Sequence, residues 1–166
     1  MAQAKELRLI TFRLGSETFV LDIMSVRQII PYAGSTSVPT APRFVEGIIV
    51  VRNEVIPVID LSDRLYPNRL ETAAQPLVLI THSSAGVIGL KVDEVRRIIN
   101  VSADSILPPP PIVRAVRAEL LIGIIPFGEE VYLVMDLDSI LTGQEKKELQ
   151  SVALSPSGAP VGTSER

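Results

Sequence analysis

The chain has 166 residues, of which 46% are hydrophobic, 21% charged and 4% aromatic, with no Trp and no Cys. That is enough apolar chain for one domain or two small ones around a core of Ile, Val and Leu, and it excludes disulfides and thiolate metal sites. The formal net charge of −3 lacks the basic footprint that general nucleic-acid binding needs, and it offers anionic lipid no polybasic attraction.

The first residues, MAQAKELRLITFRLG, contain no long apolar h-region, so no signal peptide is expected. No apolar run approaches the roughly 18 residues of a membrane span. LRLITFRLGSETFVLDI (7–23) predicts two β runs around the turn signal GSE. VRQII (26–30) is a third run, and the Pro-rich VPTAP (38–42) that follows cannot be helix. GIIVVRNEVIPVIDLSDRL (47–65) predicts two more runs joined at a turn, Arg52-Asn53-Glu54, and then a short helix. That helix starts at Asp60, where Asp60 and Asp63 have the spacing of a capping box with Asp in place of Glu. A second hairpin is predicted in PLVLITHSSAGVIGLKV (76–92), followed by VRRII (95–99), LPPPP (107–111) and GIIPFGEEVYLVMDLDSIL (123–141). DSILTGQEKKELQSVAL (138–154) is an amphipathic helix candidate that contains Gly143, and SPSGAPVGTSER (155–166) is expected to be a disordered tail.

The chain is written twice. With Gly47 placed over Gly123, at an offset of 76, nine of nineteen positions are identical, among them Ile48/Ile124, Glu54/Glu130, Val55/Val131 and Asp60/Asp136. VRQII lies over VRRII, and VPTAP over LPPPP, at an offset of 69. The offset grows by seven because Gly123 follows Pro111 by twelve positions, whereas Gly47 follows Pro42 by five, which is one insertion in a loop. Each copy holds about five short strands and a helical turn, the pattern of a small closed barrel. A unit of about 60 residues is marginal alone, so two units are expected to pack about a pseudo-twofold axis, leaving a groove between them.

No catalytic constellation stands out. His82 is the single histidine and makes no ordinary zinc site without Cys. His82 with Ser83 or Ser84 makes a poor triad, because neighbours on a strand point to opposite faces and no Gly-x-Ser-x-Gly is present. Asp60, Asp63, Asp136 and Asp138 read as helix-start residues, and no Gly-rich phosphate loop is present. Arg96, Arg97, Arg114 and Arg117 form a locally basic segment, read as a solvated or partner-facing surface. PPPP (108–111) reads as a rigid connection, since VPTAP holds its place in the first copy.

FRLGSETFVLDIMSVRQII, VPTAPRFVEGIIVVRNEVIPVIDLSDRL, GLKVDEVRRIINVSADSILPPP and IGIIPFGEEVYLVMDLDSIL together resemble the CheW family, the coupling proteins of bacterial chemosensory arrays. The resemblance covers residues 6–150. It implies an all-β fold of two small five-stranded SH3-like β-barrel subdomains related by a pseudo-twofold, with short helices and a C-terminal helix. The first repeat would span about 12–70 and the second about 76–150, with the N-terminal strand a candidate for sharing between them. An adaptor is implied rather than an enzyme, with no cofactor. It would be cytoplasmic, recruited to receptor arrays, and in contact with neither nucleic acid nor the membrane itself. The implied partners are the regulatory domain of a CheA-type histidine kinase and the cytoplasmic hairpin tip of a chemoreceptor.

Residue by residue, the resemblance places Val26, Gln28, Ile29, Arg52, Gly89 and Ile98 on the receptor side. It places Gly47, Arg52, Asn53, Leu107 and Ile112 on the kinase side. Plainer readings stand beside these. Val26, Ile29 and Ile98 are equally apolar strand residues of a core, and Arg52 is equally a solvated turn charge. As a contact, Arg52 would offer a rigid fork of donors for carboxylates and carbonyls. The family's Asn-Leu-Arg-Gly reads Val50-Val51-Arg52-Asn53 here, and Gln28 stands where the family usually has Glu. These departures keep open a divergent relative in a non-flagellar pathway (pili, surface motility or development) that binds one partner only. A reading from another class, a small-molecule or nucleic-acid binder on small barrels, is disfavoured by the few aromatics and the acidity.

Overall fold

The computed structural model describes residues 5–66, 73–110 and 120–154; Ile112 and the expected tail, 155–166, lie outside them. Among the described residues the strands are β1 Glu6–Leu14, β2 Glu17–Asp22, β3 Val26–Pro31, β4 Val45–Val51, β5 Glu54–Asp60, β6 Leu77–Ser83, β7 Gly86–Val92, β8 Glu94–Ser102, β9 Leu121–Phe127 and β10 Glu130–Met135. The helices are α1 Leu61–Leu65 and α2 Gly143–Leu154.

These strands form two five-stranded sheets, ordered β8-β1-β2-β10-β9 and β3-β6-β7-β5-β4. Moving every strand to its counterpart in the other repeat turns one order into the other, which is the pseudo-twofold. Neither sheet is one repeat, however. The hairpin β1–β2 of the first copy pairs with β8, β10 and β9 of the second. The hairpin β6–β7 of the second pairs with β3, β5 and β4 of the first. The expectation of one barrel per repeat is corrected to two interleaved barrels.

The reason is local. Only Asp93 separates β7 from β8, which is shorter than the tightest common hairpin loop, so the chain leaves its sheet instead of reversing within it. At the matching point in the first copy, Ile23–Ser25 form a single 3-10 turn, with the Asp22 carboxylate accepting the Met24 amide at 2.9 Å. The junction between hairpin and barrel strands is made by parallel pairs, Phe19↔Leu133 and Val20↔Val134 in one sheet, Val58↔Gly89 and Ile59↔Leu90 in the other.

Interleaving buries both faces of the hairpin strands. On β1 and β2, Leu9 and Val20 point into one barrel with Ile99, Val101, Ile125, Tyr132 and Val134. Their neighbours Ile10, Phe12, Leu14, Phe19 and Leu21 point the other way, into a shared cluster with Leu79, Ile88, Leu90 and Val92 of β6 and β7. The second barrel holds Ile56, Val78 and Ile80. Two buried faces explain why these segments read as almost continuous apolar runs. The space between the barrels is thus filled by the largest apolar cluster, where a groove was expected.

Each sheet closes on itself through one reciprocal pair of hydrogen bonds. Thr36 exchanges two 2.8 Å bonds with Ile48 of β4, and Leu107 exchanges two of 2.8 Å with Ile124 of β9. A strap therefore crosses directly over Gly47 and Gly123. A Cβ on Gly47 would lie 2.4 Å from Ser35 Oγ and 2.8 Å from the Thr36 carbonyl oxygen, and one on Gly123 2.4 Å from the Leu107 carbonyl oxygen.

The helix starts are set by side-chain caps. The Asp60 carboxylate accepts the Asp63 amide at 3.2 Å and starts α1 as expected. Its counterpart Asp136 accepts the Asp138 amide at 3.2 Å and the Ser139 hydroxyl at 2.7 Å, and supports only a 3-10 turn. The last helix begins at Gly143 rather than near 138. Its N-cap is Thr142, which accepts the Glu145 amide at 3.1 Å and donates its own amide to Glu145 at 2.9 Å, a capping box written as TGQE.

Glycines that look alike in sequence should respond with opposite signs. Gly47→Ala or Gly123→Ala is expected to cost about 1–3 kcal/mol of stability, because backbone stands where the methyl must go. Gly143→Ala, with open space at its Cβ, should gain roughly 0.5–1 kcal/mol. Urea unfolding midpoints of the three variants check both signs.

Candidate docking surfaces

The hairpin β4–β5 turns at Arg52 and Asn53, with Val51 opposite Glu54. Both turn residues have positive φ, 52° and 68°, the requirement of a two-residue type I′ turn matched to strand twist. Asn tolerates this region, but an arginine held there costs about 1–2 kcal/mol. In the second copy the first turn position is Gly128, with φ 67°. Beside the tip, Arg27 and Glu54 form an ion pair at 2.7 Å that is 32% and 44% exposed, an arrangement worth little to stability. Arg52 itself has no hydrogen bond or ion pair among the described residues. It lines a shallow depression with Arg27, Gln28, Val51 and Glu54.

The apolar candidates divide by face. Along β3, Arg27, Ile29 and Pro31 point outward, while Val26 is partly buried against the shared core. Ile29 is 41% exposed and its counterpart Ile98 on β8 is 46% exposed. A second matched pair, Val55 and Val131, is 44% and 50% exposed. Val55 lies opposite the exposed Val50, and Val131 opposite the exposed Pro126. Large apolar side chains are therefore left in water at the same places on both barrels. Leu107 is also exposed, on the strap over β9.

Chemistry breaks the symmetry that the backbone keeps. The counterpart of Gln28 is Arg97, whose guanidinium lies 5.3 Å from the Phe127 ring centroid and donates to the Tyr132 hydroxyl at 2.8 Å. That hydrogen bond raises its already high pKa.

Gly47 and Gly89 are both buried. A Cβ on Gly89 would come 2.8 Å from Val78 Cγ1 inside the second barrel. In this fold the two glycines serve packing.

A polar cluster went unnoticed in the sequence. Lys91 of β7 lies 3.2 Å from Glu46 of β4, 3.7 Å from Asp60 and 4.4 Å from the Tyr32 ring centroid. The Tyr32 hydroxyl donates to Glu46 and sits 3.1 Å from Ser35 Oγ, which latches the strap over Gly47. The available signal was a break in the repeat: the counterparts of Tyr32, Glu46 and Lys91 are Val101, Ile122 and Asp22. Burial pulls the Lys91 pKa down, but the hydrogen bond and charge of Glu46, with Asp60, outweigh it and raise the value. Burial raises Asp60, against the Asp63 amide and Lys91.

The sign for Lys91 follows by linkage. A raised folded pKa contributes stability that is complete below the ordinary lysine value of 10.5 and is lost as pH rises through the folded value. Urea midpoints of the wild type should therefore fall more between about pH 10 and pH 12 than those of Lys91→Met.

Among the described residues no cluster of three or more His, Cys, Asp or Glu side chains is placed to hold a metal. No helix among them is long and apolar enough to cross a membrane. Two interleaved five-stranded barrels with matched apolar hairpin faces define an all-β double-barrel domain. The chain belongs to the CheW-like domain family, whose profile matches residues 8–145. It is 30% identical over 152 residues to the chemotaxis protein CheW of Treponema pallidum (strain Nichols), covering 89% of each chain. It is 32% identical over 139 residues to the chemotaxis protein CheW of Rhizobium meliloti (strain 1021), covering 84% of this chain and 90% of that one. The crystal structure of the scaffolding protein TtCheW from Thermoanaerobacter tengcongensis superposes with a TM-score of 0.76 at 28% identity, over 85% of this chain and 96% of that one.

Proposed function

We propose that this protein is a chemotaxis adaptor that docks the cytoplasmic hairpin tip of a chemoreceptor and the regulatory domain of a CheA-type kinase, without chemistry of its own. Its place would be the cytoplasmic receptor array. One observation carries the proposal. Matched exposed apolar residues stand on both barrels, Ile29 with Val55 and Ile98 with Val131, while the hairpin tip carries Arg52 on one barrel and Gly128 on the other. Such a particle offers two related but chemically different faces, as a linker between unlike partners requires. Membership in the CheW-like family supports it, as do the names of the relatives. The departures Val50 and Asn53 leave the hairpin turn formed, which favours retention of both contacts over a one-partner relative.

The experiment is calorimetric titration with each partner from the same cell. Arg52→Asn keeps the positive-φ turn and removes the guanidinium fork; it should weaken the kinase regulatory domain about tenfold or more, with no loss of stability. Ile98→Ser should weaken the receptor tip instead. Binding of the wild type to neither partner would remove the adaptor reading and return Arg52 to a solvated turn charge.

A further inference from the structure

The two copies hold their exposed strands by different means. β3 and β8 each break register against the hairpin they join. On β3 the break lies between Val26 and Gln28; on β8 it lies where Ile98 faces Ile10 and Val95 faces Phe12. Residues 96 and 97 then stand opposite Thr11 alone, an arrangement that removes main-chain groups from the ladder. Thr11 is 1% exposed. Its hydroxyl donates to the Arg97 carbonyl at 2.8 Å and accepts the Arg97 amide at 2.9 Å. One hydroxyl has the donor and acceptor capacity for both bonds, so both main-chain groups of Arg97 are satisfied at a bulge backed by the buried Thr11.

That stitch sits at the point where the strand aims its two most distinctive side chains. Ile98, the next residue, turns into solvent. Arg97 is directed to Phe127 and Tyr132. On the other barrel the counterpart of Thr11 is Ile80, which has no hydroxyl; its neighbour Thr81, opposite Val26, donates to the Ile88 carbonyl at 3.1 Å, across its own hairpin. Among the described residues no side chain bonds the main chain of β3 at its break.

We propose that Thr11 is a positioning residue for partner docking: its buried hydroxyl fixes the bulge of β8, and so the direction of Ile98 and Arg97. The inference rests on the reading of Ile98 as a receptor contact. Two measurements on the full chain test it, amide exchange by NMR and titration with the receptor hairpin tip. The variants are Thr11→Val, Thr11→Ser, Val134→Ala and Ile98→Ser.

In Thr11→Val the Arg97 amide should exchange at least tenfold faster relative to Ile10, and tip binding should weaken at least fivefold. Thr11→Ser keeps the hydroxyl and should match the wild type in both. Val134→Ala opens the same barrel from β10, two strands away from Thr11; it should lower the melting temperature and leave tip binding intact. The proposal is overturned by wild-type exchange at Arg97 in Thr11→Val, by wild-type binding in Thr11→Val, or by equal weakening in Val134→Ala. If Ile98→Ser binds as tightly as the wild type, the docking reading fails, and the positioning role falls with it. Faster exchange at Arg97 in Thr11→Val would then show the hydroxyl holding a strand that no receptor reads.

Discussion

The burial of one apolar face between two hairpins is the constraint on which the rest of this structure depends. Ile10, Phe12, Leu14, Phe19 and Leu21 come from the first repeat, and Leu79, Ile88, Leu90 and Val92 from the second. Phe12 and Phe19 stack at 5.9 Å within it. Each such side chain contributes roughly 1.5–3 kcal/mol on full burial, and together they force each hairpin to serve two layers at once. Neither barrel is complete without strands from the other half of the chain, and the outer faces at the two ends are tied through one packed interior. Close packing of this kind favours discrete arrangements over gradual deformation.

Upon that shared frame the two barrels are finished differently. One strap is latched by Tyr32, Glu46 and Lys91. The other crosses Gly123 with Ile106 against the glycine. One hairpin tip carries an arginine in a strained left-handed conformation, the other a glycine. One exposed strand is stitched by a buried threonine and the other is not. In the proposed adaptor role, such unlike ends would tell two partners apart by local chemistry, while the common frame keeps those ends in register. Coupling further requires that contacts differ between signalling states, since a contact equal in both shifts nothing.

Much of this was legible in the chain. The repeat, the strands, the Arg52–Asn53 turn and the Asp60 cap follow from period-2 patterning, positive-φ tolerance and carboxylate spacing. The interleaving was not read, because a repeat defines a unit without saying which copy a hairpin joins. The sequence leaves Asp93 and Glu94 between the runs ending at Val92 and starting at Val95, enough for a tight hairpin, whereas the structure leaves Asp93 alone. Gly47 and Gly89 are a related case: a glycine inside a strand signals close approach, and only the fold shows that a strap or a neighbouring side chain makes that approach. The Thr142–Glu145 capping box is written in TGQE, with glycine, a poor helix former, directly after the cap.

The most direct measurement is the folding of residues 26–92 alone, which contain every strand of the second barrel. If the shared core governs stability, this fragment exposes Ile59, Leu61, Leu79, Ile88, Leu90 and Val92 to water and keeps only Ile56, Val78 and Ile80 inside. Its amide spectrum should be collapsed and its thermal transition absent, and adding the complementary strands should restore both. A dispersed spectrum with a cooperative melt from the fragment alone would contradict the shared core as the controlling interaction.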